Sequence, residues 1–259
     1  MAIYPSIMSN YKKIKYQAQG VSPMDQPSEN ETKLEKTLND GRKNYKVYRI
    51  FQGIPLGHKR VLEIGCGTGE ISTQIAISTN AREIVALDES AGHGSETGVL
   101  DILRKKIESY NLKNIEVVEQ DFWKYEPDSK FDIILADNCL HHFVANGEDY
   151  FNDEKVRNDY VTLCNKIRTL LVDDGIFILK DLDPRFLLRF VYPKLYNHMD
   201  WDMHPPYKAW IDMLRSASFR NITSQAVVPY TLRKLYPPLK YKFWSPFLKG
   251  GVILYCHKS

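Results

Sequence analysis

The ten residues Val61-Leu62-Glu63-Ile64-Gly65-Cys66-Gly67-Thr68-Gly69-Glu70 constrain this chain more than any other stretch. A short apolar run that reads as a buried strand passes into three glycines at alternate positions. A segment with Ile71, Ile75 and Ala76 follows, and its spacing predicts a helix. A glycine-rich turn lets backbone approach a ligand where a side chain would clash. It also aims the free amide groups at the helix start toward that ligand. The stretch therefore predicts a nucleotide-cofactor site on a strand–turn–helix unit.

The same alternation continues along the chain. Residues 83–87 form a second apolar strand that ends at Asp88-Glu89, and Ala91-Gly92-His93-Gly94 reads as a loop. Val99, Leu100, Leu103 and Ile107 then share one face of a helix, with Arg104, Lys105 and Lys106 outside. Residues 115–118 are a third strand, leading to Gln120-Asp121-Phe122-Trp123. Residues 131–136 are a fourth, leading to Asp137-Asn138-Cys139-Leu140-His141-His142-Phe143. A long amphipathic helix carries Val156, Tyr160, Leu163, Ile167, Leu170 and Leu171 on one stripe and closes at Asp173-Asp174-Gly175, before a fifth strand over 176–179. Near-continuous apolar strands alternating with helices predict an α/β fold, a parallel sheet covered on both faces. A last helix over 206–217 leads to a strand over 222–228, and the final strand spans 251–256. No helical pattern separates those two strands, so they are expected to pair antiparallel. The seven strands give a Rossmann-like, mostly parallel sheet. Residues 41–259 form the main domain, while residues 1–40 are a polar extension, part of a substrate cap.

Composition excludes several classes. A net charge of +3 over 259 residues is too small to argue for nucleic acid. Cys66, Cys139, Cys164 and Cys256 are widely spaced and contain no C-x-x-C pair, which fits reduced thiols in the cytoplasm. No run of 18 apolar residues predicts a spanning helix, and no leader pattern opens the chain.

The glycine run is G-x-G-x-G, whereas dinucleotide folds carry G-x-G-x-x-G. Asp88, about 20 residues beyond it, suits a ribose diol in either case, and this pair of features leaves the cofactor open. The order of motifs decides it. V-L-E-I-G-C-G-T-G, the acid at Asp88, Q-D-F at 120–122 and L-H-H-F at 140–143 together resemble the class I S-adenosylmethionine-dependent methyltransferases. L-H-H-F looks most like the small-molecule branch that includes quinone-biosynthesis enzymes.

The resemblance implies S-adenosylmethionine as cofactor and S-adenosylhomocysteine as product. Gly65, Cys66, Gly67 and Gly69 would put backbone against its amino-acid end, and Glu63 would accept from its ammonium group. Asp88, with Glu89 beside it, would take the ribose hydroxyls, and Asp121 and the Phe122 amide would meet the adenine. Ala136 and Asn138 would flank the sulfonium. The bland alternative for Glu63 and Asp121 is a helix cap or a surface acid. His141 and His142 are the candidate general bases, because imidazole has the right unperturbed pKa for taking a proton.

The acceptor must lie outside the carboxyl ends of the strands, under three segments: the N-terminal region and two insertions. The first, 181–205, carries Phe186, Phe190, Tyr192, Tyr196 and Trp201. The second, 229–249, carries six aromatic residues and Arg233, Lys234, Lys240, Lys242 and Lys249, with no acid. Such a lid suits a small flat or partly apolar acceptor with negative charge, or peripheral contact with an anionic membrane. His198, Asp200, Asp202 and His204 alternate and would share one side of an extended segment; a solvated loop explains them better than a metal, and no metal is assigned. An RNA or protein methyltransferase, a non-catalytic binding subunit and a dehydrogenase are the competing readings. The first lacks an N/D-P-P-Y/F motif after the fourth strand.

Overall fold

The computed structural model describes residues 47, 49–89, 97–144, 149–150, 152–186, 188–191, 201–227 and 250–259. Strand β1 (Arg60–Ile64) and helix α1 (Glu70–Ser78) bracket the glycine turn. Strand β2 (Glu83–Asp88), helix α2 (Val99–Ser109), strand β3 (Ile115–Glu119) and strand β4 (Phe131–Asp137) follow. Helix α3 (Glu154–Leu170), strand β5 (Leu171–Leu182), helix α4 (Tyr207–Ser216) and strands β6 (Arg220–Val227) and β7 (Gly251–His257) come next, with a short helical turn, Leu188–Val191, between β5 and α4. They build one sheet in the order β3-β2-β1-β4-β5-β7-β6.

Alternation within each strand produces two cores, because successive side chains leave a strand on opposite faces. Leu62 and Ile64 of β1, Ile134 and Ala136 of β4, and Phe177 and Leu179 of β5 face α3 and α4. Val61, Ile133, Leu135 and Ile178 point the other way, onto Ile71 and Ile75 of α1 and onto Ile50, Phe51 and Leu56. Burial on both faces is why these strands read as apolar runs without a polar side. The parallel pairs β1/β2, β2/β3, β1/β4 and β4/β5 are joined to β7, which runs antiparallel to both β5 and β6. The closing antiparallel pair expected from the sequence is thus present.

The long helix ends earlier than its stripe suggests. It stops at Leu170, and Leu171 turns to extended backbone (φ −85°, ψ 145°). Leu171 pairs with Phe131 of β4, pairing resumes at Ile176 with Ile133, and 172–175 project between them. Full burial of the Leu171 side chain in the sheet core outweighs continuation of the helix. At the amino ends of the strands Arg60 is buried: it lies 2.6 Å from Glu83 Oε2 and stacks 4.2 Å over Phe131. That end is closed by structural pairs. Among the described residues, the carboxyl ends of the strands border a cleft.

The insertion at 229–249, the extension at 1–40, the loop 91–94, and Tyr192, Tyr196, His198 and Asp200 lie outside the described residues. Among the described residues no helix is long and apolar enough to cross a membrane.

Candidate cofactor and acceptor site

β1 sits between β2 and β4, so the chain leaves it toward one side and leaves β4 toward the other. A crevice opens at such a switch point, outside the carboxyl ends of the strands. Here it is a cleft of about 640 Å³. That is ample for a small-molecule cofactor, since such sites run to roughly 300–1,000 Å³. Gly65, Gly67, Asp88, Glu89, Asp121, Phe122, Asn138 and His142 line it together.

The turn explains its glycines. Gly65 and Gly69 have φ of 65° and 68°, a region that costs any side-chain-bearing residue energy. A Cβ on Gly65 would also lie 2.6 Å from Cys139 Cβ, and one on Gly69 would lie 2.2 Å from Leu103 Cδ1. These two positions let β1 meet the exit of β4 and α1 meet α2. At Gly67 a Cβ would meet nothing within 4 Å, so the bare backbone there faces the cleft. Asn138, at the exit of β4, also adopts a left-handed conformation, with φ of 53°, and its amide donates to the Lys180 carbonyl at 2.8 Å.

The acids are tied down. Asp88 Oδ2 accepts from the Gly67 amide at 2.8 Å, linking the end of β2 to the turn. Glu63 is buried outside the cleft and accepts from the Ser72 amide at 2.9 Å and from the Ser72 hydroxyl. It thereby supplies the cap that α1 lacks at Gly69. Asp121 accepts from the Trp123 amide at 2.8 Å and caps the turn Phe122–Lys124. Asp137 pairs with Lys180. Glu63 and Asp121 both cap helical turns, and Asp121 also lines the cleft. Cys66, Gly69, Ala136 and His141 lie off the cleft wall. Burial, and then the charges of Glu63 and Asp88, push the Cys66 thiol far up, which removes it as a nucleophile.

The two histidines separate. His142 lines the cleft, whereas His141 is buried behind it, with their rings 4.0 Å apart. His141 faces His204, whose ring lies 3.8 Å away, and both turn Nδ1 toward Asp181 at the end of β5. In the described part of the alternating segment, Trp201–Met203 is a 3-10 turn, Asp202 is exposed and His204 is buried. His204 therefore parts from Asp202 and joins His141 and Asp181. Asp181 went unrecognised in the sequence. Its only signal was an acid closing an apolar strand at the carboxyl edge of a parallel sheet. Trp123, Cys139 and Phe143 also line the cleft, each beside a motif residue already singled out. Phe122 and Phe143 meet edge to face at 5.6 Å. In the first insertion Phe186 and Trp201 are buried against each other at 5.9 Å, whereas Phe190 is exposed.

Residues 56–205 match the family model of the methyltransferase domain. A curated relative, malonyl-[acyl-carrier protein] O-methyltransferase 2 of Ilyobacter polytropus, is 28% identical over 131 residues, which is 46% of this chain and 47% of that protein. The chain thus matches about half the length of this relative. Phosphoethanolamine N-methyltransferase 2 of Haemonchus contortus superposes with a TM-score of 0.56 at 12% identity, over 84% of this chain and 52% of the other. Magnesium protoporphyrin IX methyltransferase of Synechocystis PCC 6803, solved with S-adenosylhomocysteine, gives 0.53 at 15% identity over 91% and 89%. With the methyltransferase-domain model matched over more than half its length, the chain belongs to the methyltransferase-domain family.

Proposed function

We propose that this protein transfers the methyl group of S-adenosylmethionine to a small, aromatic or partly apolar acceptor, at oxygen or nitrogen. The observation that carries this reading is the cleft at the β1/β4 switch point. There an open-faced Gly67, the Asp88 carboxylate, the Phe122 and Phe143 rings and His142 share one cavity. Bare backbone at Gly67 suits the amino-acid end of the cofactor, and two carboxylate oxygens on Asp88 suit a ribose diol. Phe122 and Phe143 suit the flat adenine.

The cofactor supplies an electrophilic methyl group on a sulfonium. The chain's residues align an acceptor behind that methyl group and exclude water, and alignment alone removes much of the barrier. Asn138 and the Gly65–Gly67 turn fix the reacting end. His142, on the cleft wall, takes a proton from an acceptor that must lose one. His141 does not touch the cleft and positions His142 from behind. The basic aromatic composition of 229–249 favours a negatively charged acceptor or contact with an anionic membrane surface. The curated relative is named as an O-methyltransferase, which supports oxygen. The quinone-biosynthesis likeness rests on Leu140-His141-His142-Phe143 alone.

The test is a screen with radiolabelled S-adenosylmethionine against phenols, hydroxybenzoates, amines and carrier-bound carboxylates. Label entering one small-molecule class with equivalent S-adenosylhomocysteine supports the proposal. Label entering only RNA or protein, or none despite cofactor binding, overturns it.

A further inference from the structure

We infer that His141, Asp181 and His204 form a buried binding site for a zinc-class divalent cation, behind the cleft wall that His142 lines. One ligand atom from each of the three lies within 4.8 Å of the others, and all three residues are buried. They come from three separate places: the turn after β4, the end of β5 and the link before α4. Two imidazoles with one carboxylate suit zinc, cobalt or nickel, whereas magnesium and calcium prefer oxygen ligands throughout.

Two observations lift this above a chance grouping. The first is His141 Nδ1, which is buried with no hydrogen-bond partner and points at Asp181 Oδ1 from 3.5 Å. A buried ring nitrogen without a partner is costly, and a cation between the two atoms would satisfy it. The second is the support behind the carboxylate. Trp210 Nε1 donates to Asp181 Oδ2 at 2.9 Å, and the Leu182 amide donates to Oδ1 at 2.9 Å. Outer hydrogen bonds of this kind hold a ligating carboxylate in place. Metal bonds of about 2.0–2.1 Å at tetrahedral angles put ligand atoms roughly 3.3 Å apart. The 3.5 Å gap from His141 to Asp181 already matches, and the 2.7 Å His204–Asp181 hydrogen bond would open on binding. The bound cation would fasten the link before α4 to the exit of β4 and fix the ring against which His142 lies tilted.

The test uses the tag-free full chain, stripped with chelator. Metal analysis, cobalt absorption and zinc competition are read at neutral pH, with His141→Gln, His204→Gln and the exposed-site control Asp202→Asn beside the wild type. One equivalent of cobalt with four- or five-coordinate visible bands, displaced by zinc and unaffected by magnesium, is expected. Each histidine variant should weaken it by more than about a hundredfold while Asp202→Asn leaves it intact. Circular dichroism verifies folding, and a variant that fails it is replaced by Asn at the same position. No cobalt binding below 100 micromolar by folded protein, or binding that survives both histidine changes, overturns the site. S-adenosylhomocysteine titration of the same preparation separates this failure from failure of the methyl-transfer reading.

Discussion

Asp88→Ala probes the cofactor half of the cleft most directly. The carboxylate ends β2, where its backbone stays paired with Glu119 of β3, so truncation leaves the ladder intact. Within the free protein the change deletes the acceptor of the Gly67 amide, at a cost of about 1 kcal/mol. In the complex it also deletes two hydrogen bonds from ribose hydroxyls to a charged group, each worth about 1.5–3 kcal/mol. Because the free carboxylate gives up the Gly67 amide or surrounding water to receive them, the net loss should be about 1.5–3 kcal/mol. That is a ten- to roughly hundredfold rise in the S-adenosylhomocysteine Kd. Calorimetry on variant and wild type reads it, with thermal melting to verify the fold. An unchanged Kd in a folded variant would mean that the ribose does not lie on Asp88, and would sink the placement of the cofactor.

Gly69→Ala combines a left-handed backbone with a Cβ 2.2 Å from a Leu103 methyl, and should cost about 2–4 kcal/mol in urea unfolding. A loss below 0.5 kcal/mol would show that α1 and α2 slip apart freely. Burial raises the Asp181 carboxyl, but the imidazoles of His141 and His204 outweigh it and hold the group well below the usual carboxylate range. A depressed folded-state pKa gives stability that is present above about pH 4 and lost on acidification below it. In chelated protein Asp181→Asn should therefore cost about 3 kcal/mol at pH 7, and the gap to wild type should narrow below pH 4; a pH-independent gap refutes the assignment. With the acceptor found by the screen, His142→Gln should lower kcat about a hundredfold and remove the acid limb of its pH profile. Retention of that limb would leave His142 a packing residue. Shortening 229–249 should impair acceptor use and spare cofactor affinity; equal loss of both makes the segment structural.

The α/β frame was legible because its signals are local. Val61–Ile64 and 131–136 are apolar throughout, the glycine turn separates strand from helix, and each strand ends where polar residues begin. The position of Asp88 and the division of 222–228 from 251–256 followed from the same periodicity. What escaped was set by contacts distant in sequence. Leu171 carried the helical stripe, but its burial beside Phe131 is a tertiary fact. That Glu63 and Asp121 also cap the Ser72 and Trp123 amides became visible only in the fold. His141 and His142 are adjacent and identical in type, and only the turn Leu140–His142 sends one to the cleft and the other to the core. Asp181, 40 residues beyond His141 and 23 before His204, had no pattern to join them until the fold did.

The most direct measurement is calorimetric titration of the wild-type protein with S-adenosylhomocysteine, with NADH as the control. One site of micromolar affinity for S-adenosylhomocysteine and no heat from NADH is the predicted result. Tight binding of NADH with no response to S-adenosylhomocysteine would contradict the cofactor assignment and return the glycine turn to a dehydrogenase reading.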